Sequence, residues 1–145
     1  MEHNSESDLR LINDEIIPLI QGSRRIQPID STELYVGFQE MACFQSLLSH
    51  LRPRCAVEIG TSTGSTFELI HRHSQSAISI DPNPDVKARL QGRFPDAEFI
   101  TATSSQALSP LLARLKRDSV PLEFVFVDGN HTEDFVREDI QTLLK

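Results

Sequence analysis

Residues 56–64 read AVEIGTSTG: a short run fit for a buried strand, then a turn made of glycine and small hydroxyl residues. A strand that passes through a glycine turn into a helix sets backbone N–H groups and the positive helix end at the carboxyl edge of a sheet, where open α/β folds bind ligands. Gly60 and Gly64 permit a close approach at that edge, and the fold depends on whether the rest of the chain builds a sheet around it.

It does so in regular alternation. Strands are predicted at CAVEIG (55–60), SAISID (76–81), AEFIT (97–101) and LEFVFVD (122–128). A helical stretch follows each: STFELIHRH (65–73), PDVKARLQGRF (84–94), SSQALSPLLARLKR (104–117) and TEDFVREDIQTLLK (132–145). Strand and helix alternating four times predict an α/β fold, a Rossmann-like three-layer α/β/α sandwich on a parallel sheet, because right-handed crossovers place the helices on both faces. Pro84 suits a first helical position with Asp85 beside the positive helix end, and Ser104 or Ser105 suits a helix cap. Pro110 conflicts with its helix unless that helix starts late or kinks.

Upstream, Leu9, Ile12, Ile16 and Ile20 recur at helical spacing, with Pro18 as a kink or end and Gly22 as a stop. A loop leads to a second amphipathic pattern at Leu34, Phe38, Met41, Phe44, Leu48 and Leu51, closed by Pro53. The expected organisation is a disordered start over 1–8, a helical segment over 9–54 and a ligand-binding core over 55–145.

Composition narrows the partners. With 14 basic against 21 acidic residues the formal net charge of the 145-residue chain is -7, which disfavours nucleic acid or an anionic membrane surface. The opening MEHNSESD lacks the basic start and apolar middle of a signal peptide, and no apolar run approaches the roughly 20 residues of a membrane span. A cytoplasmic protein is expected, with Cys43 and Cys55 as two buried, reduced thiols.

At the rim, Asp81 ends the second strand, where a carboxylate can accept two hydrogen bonds from a ribose diol. Dinucleotide-binding proteins share a glycine turn followed by an acid about 20 positions on, but in their G-x-G-x-x-G frame this chain has Gly60, Ser62 and Ser65. Two of three glycines are replaced, which weakens a nicotinamide cofactor, and the lysine of a Walker loop is absent. The histidines of IHRHS, His71 and His73, point apart on a helix and do not suit a metal.

Four motifs, in order, resemble those of class I S-adenosylmethionine-dependent methyltransferases, in the branch of the catechol, caffeoyl-CoA and macrocin-type O-methyltransferases. They are VEIGTSTG, IDPNPD, SSQAL and FVFVDGNHTEDFVREDIQTLL, within a match from about Leu34 to Lys145. The resemblance implies S-adenosyl-L-methionine as cofactor. It places Glu58, Gly60, Thr61, Ser62 and Gly64 around the methionine part, Asp81 on the ribose, and Ser105 and Gln106 on adenine. It sets Asp128 below the sulfonium, where a carboxylate favours positive charge, and makes His131 the candidate base. Ser105 is equally suited to capping its helix, Asp81 to the turn before Pro82, and the pair Asp128–Gly129 to a turn.

The fourth strand is apolar on both faces, as befits a strand inside a covered parallel sheet. In the resembling family it leads to three more strands, so the chain reads as C-terminally truncated. An open edge there invites a homo-oligomer or a complementing chain. A divalent metal such as Mg is implied in many catechol-type relatives, with Asp128 as one ligand, but a hard cation wants about six oxygens and the later ligands are missing. The expected function is O-methylation of a small-molecule hydroxyl. The alternatives are a non-catalytic cofactor-binding module and an NAD-dependent oxidoreductase fragment.

Overall fold

The computed structural model describes residues 31–144, with side chains from residue 40 onward. The expected first helix and the polar start at 1–8 lie outside the described residues. Helix α1 (Ser31–Leu51) covers the second amphipathic pattern. Within it Leu48 is wholly buried, while Leu51 is about half exposed. Cys43 is also exposed, against expectation. It lies two residues past Met41, about 200° around the helix, and so falls off the stripe formed by Met41, Phe44 and Leu48.

Four strands follow: β1 (Cys55–Ile59), β2 (Ser76–Ile80), β3 (Glu98–Ile100) and β4 (Phe124–Val127). They alternate with α2 (Ser65–His73), α3 (Pro84–Leu90), α4 (Ser104–Arg117) and α5 (Glu133–Leu143). All pairings are parallel, in the order β3-β2-β1-β4. The chain therefore reverses its direction of winding between β3 and β4, and the ends of β1 and β4 come side by side.

Alternation along β1 explains the two layers. Val57 and Ile59 join Ile78, Ile80, Leu108, Leu111 and Leu115 in one core under α4. Glu58, between them, faces the α2 side, where Thr66 reaches it. Phe67 of α2 anchors that second layer against Phe94 and Phe99, with ring centroids 5.5 and 5.3 Å away. Every residue of β1 is buried, as its central place demands. β4 is half-buried throughout and is an outer strand among the described residues, although its apolar run predicts an interior one. At the amino end of the sheet, Arg54 and Glu123 tie these two strands together, with the guanidinium 2.7 Å from the carboxylate.

Two local expectations are modified. Pro84 and Asp85 open α3 as predicted, and Asn83 caps it, its Oδ1 accepting from Asp85 N at 3.0 Å. Helix α4, however, is capped by Thr103, ahead of Ser104 and Ser105. The signature was legible: Thr103 and Gln106 stand at the spacing of a capping box, and Gln106 Oε1 accepts from Thr103 N. The helix runs through Pro110, whose ring faces solvent, so the missing N–H removes only one hydrogen bond, that to Gln106. Among the described residues no helix is long and apolar enough to cross a membrane.

Candidate cofactor site

The carboxyl ends of β1, β2 and β4 meet around a cleft of about 480 Å³, within the usual range for small-molecule sites. Of the candidate site residues, Gly60, Ser62, Asp81, Ser105 and Asp128 line it. Ile59 and Ile80 form apolar wall between them, and Thr103, Asn130 and Phe135 join from the loops and α5.

The turn after β1 is fastened residue by residue. Gly60 N donates to Ile80 O at 2.9 Å, prolonging the β1–β2 ladder by one step. The hydroxyls of Thr61 and Ser79 meet at 2.7 Å in a buried pair. Ser62 N donates to Asp81 Oδ2 at 3.0 Å, and Arg89 donates to Ser62 O. Gly64 N then closes the turn on Thr61 O at 2.9 Å, and α2 begins. Gly60, Thr61 and Ser62 are thus each tied to a partner distant in the chain.

The two glycines are required by neighbouring protein. Gly60 has φ +87°, and a β-carbon there would lie 2.4 Å from both Asp128 O and Gly129 Cα. Gly64 has φ +84°, and its β-carbon would meet Leu90 Cδ1 at 2.7 Å. Both conformations favour glycine. The close approach at Gly60 thus includes the β4 loop, a contact invisible in the sequence because it joins positions far apart.

Asp81 does two jobs at once. Its Oδ2 holds Ser62 N and its Oδ1 accepts from Asn83 N at 2.9 Å, so it fixes both loops while bordering the cleft. Each oxygen retains a further lone pair for a diol. Glu58 lies deeper and is fully buried beneath the loop. Thr66 Oγ1 donates to its Oε1, while Oε2 is buried without a hydrogen-bond partner. Desolvation pushes its pKa up to about 7, outweighing the hydrogen bonds from Thr66 and Thr61 that favour the charged form, while Asp128 and Asp81 add to the rise.

On the β4 side, Asp128 N donates to Ile59 O at 2.8 Å, and Asn130 Oδ1 accepts from Thr132 N at 3.1 Å. The Asp128 carboxylate stands 3.9 Å from His131 Nε2, and the histidine side chain is 80% exposed. Glu58, Thr61, Gly64, Gln106 and His131 therefore do not line the cleft: three are behind its wall, Gln106 is turned to its own helix start, and His131 is outside. Among the described residues no group of three His, Cys, Asp or Glu could hold a metal ion, so Asp128 gains no co-ligands there.

An acid at the end of β2 is bonded to a glycine-flanked turn after β1, with the end of β4 beside both. Residues 57–145, more than half of the chain, match the family described as Methyltransferase domain. The chain belongs to this methyltransferase family. Methyltransferases of this class use S-adenosylmethionine, the cofactor that the family implies. The ribosomal RNA small subunit methyltransferase A of Acidobacterium capsulatum is 32% identical over 93 residues, covering 63% of this chain and 32% of that protein. The chain thus spans about a third of the length of this curated relative.

The residues present fit such a methyl donor. Asp81 has acceptor capacity for a diol, Ser105 borders the cleft from the start of α4, and Glu58 Oε2 is left without a hydrogen-bond partner beneath the turn after β1. Ser62 departs from the dinucleotide pattern yet takes φ +44°, the left-handed conformation that glycine adopts most readily. Sequence reading missed Thr103, Asn130 and Phe135. Only the first carried a signal, in the capping-box spacing.

Proposed function

We propose that this methyltransferase domain carries out O-methylation of a small-molecule hydroxyl, in the cytoplasm. The observation that carries the cofactor half is Asp81, which links the ends of β1 and β2 and still borders the cleft opposite Asp128. S-adenosylmethionine supplies, when bound, a methyl group on a positively charged sulfur. Asp81 would hold its ribose, Gly60 and Ser62 would border its methionine part, and Ser105 its adenine. The carboxylate of Asp128 would favour the positive charge. Turnover then depends on placing the acceptor oxygen in line with the methyl and removing its proton, for which His131 is the nearest base.

A small acceptor is favoured by charge. The chain carries -7, and among the described residues no lysine or arginine lines the cleft. The ribosomal RNA relative supports a second reading, methylation of RNA, for which a basic approach surface would be needed. Calorimetry with S-adenosylhomocysteine and with NAD tests the cofactor: binding of the first is expected, and binding of NAD alone would end the assignment. Radiolabelled methyl transfer to a panel of small hydroxyl compounds, with ribosomal RNA in parallel, tests the acceptor. Label in RNA alone would overturn the small-molecule reading.

A further inference from the structure

Ser62 combines three features. It is a non-glycine residue at φ +44°, it lines the cleft, and both of its backbone polar groups are held by side chains from other elements. L-residues rarely take this conformation, because the β-carbon crowds the backbone. The two ties come from different elements. Asp81, at the end of β2, takes the N–H, and Arg89, in the last turn of α3, donates to the carbonyl oxygen. Arg93, one turn further on, is directed elsewhere, with Nη2 2.7 Å from Glu68 Oε2.

We propose that Arg89 is a positioning residue for the cofactor turn: together with Asp81 it holds the Ser62 backbone in the left-handed conformation that shapes the methionine end of the cleft. An ordinary dinucleotide-type turn reaches this conformation with glycine at no steric cost. Here serine occupies the position, and a guanidinium hydrogen bond on one side of its α-carbon and a carboxylate bond on the other offset the preference for φ below zero. Arg89 would touch no cofactor atom and would act through Ser62 alone. The inference rests on the cofactor reading of the cleft, and its test separates the two.

The experiment compares the full chain with Arg89→Ala, Arg89→Lys, Ser62→Gly and the Ser62→Gly/Arg89→Ala double variant. Binding of S-adenosylhomocysteine is measured by calorimetry, and amide exchange of residues 61–64 in the ligand-free protein. Arg89 is exposed, so its removal is expected to leave the fold intact. Arg89→Ala should weaken binding about three- to tenfold, the range of one lost hydrogen bond, and speed exchange in the turn. Arg89→Lys should recover part of the loss. In the glycine background, where the conformation needs no support, removing Arg89 should change affinity by less than about twofold.

Unchanged affinity in Arg89→Ala would overturn the proposal. So would an equal loss in the serine and glycine backgrounds, since the arginine would then act by charge or by direct contact. If the unaltered chain binds no S-adenosylhomocysteine, the cofactor reading fails. Amide exchange then decides the clamp, and unchanged protection of residues 61–64 in Arg89→Ala overturns it.

Discussion

The loops after β1 and β4 lie against each other at the same rim and are built on opposite principles. In the first, Gly60, Thr61, Ser62 and Gly64 are each tied by a hydrogen bond to a fixed partner, and buried Glu58 supports the turn from below. In the second, Asp128 N and Thr132 N are tied, but the Asp128 and His131 side chains are 45% and 80% exposed. The strands beneath differ in the same way, β1 wholly buried and β4 half-buried. The difference separates a loop fixed before anything binds from side chains left free to reorient. Preorganisation lowers the ordering cost of binding, and the first loop has it.

Breaking the contact between the loops should have the largest effect. Gly60→Ala forces a β-carbon to within 2.4 Å of the Asp128–Gly129 backbone at a positive φ, so urea unfolding should show a loss of about 3 kcal/mol or more. Gly92→Ala, with nothing within 4 Å of the added carbon, should leave stability within about 0.5 kcal/mol. Equal effects of the two would show that the loops do not touch as described.

Glu58 tests the buried side of the cradle. Its carboxyl rises from 4.5 to about 7 on folding, so the folded state binds its proton more tightly than the unfolded chain. The resulting stabilisation is full below pH 4.5 and is lost as pH rises to about 7, a change of about 3 kcal/mol at 1.36 kcal/mol per unit. Glu58→Gln should flatten the pH dependence of the unfolding free energy across that window and be more stable than the parent at pH 8. Parallel curves would mean that the carboxylate is solvated.

Asp81→Ala removes both a ligand contact and the anchor of Ser62 N, so S-adenosylhomocysteine binding should weaken by about 2 kcal/mol in calorimetry. Unchanged affinity in folded protein would remove Asp81 from the site. The smallest binding effect belongs to the other loop. His131→Ala should change affinity less than twofold and stability by less than about 0.5 kcal/mol, because the ring is exposed. Its effect, about a hundredfold in turnover, appears only where a base is needed, and undiminished methyl transfer would reassign that role.

Much of this was readable beforehand where the signal is local. CAVEIG, SAISID, AEFIT and LEFVFVD became strands, STFELIHRH and SSQALSPLLARLKR became helices with the expected limits, and Asn83–Pro84–Asp85 opened α3. Periodicity and cap chemistry act over a few residues, so they survive in the sequence. The misplaced details were those set by distance in space: the exposure of Cys43 and the cleft-lining positions of Asn130 and Phe135.

By itself the sequence determined the alternation, the parallel sheet and the acids at its rim, because apolar spacing and turn residues prescribe them locally. Only the tertiary structure decided what those residues touch. Gly60 is confined by a loop 68 positions on, Asp81 holds a neighbouring turn, and Glu58 is sealed from water. Each of these comes from packing between segments distant in the chain, and no short-range pattern records it.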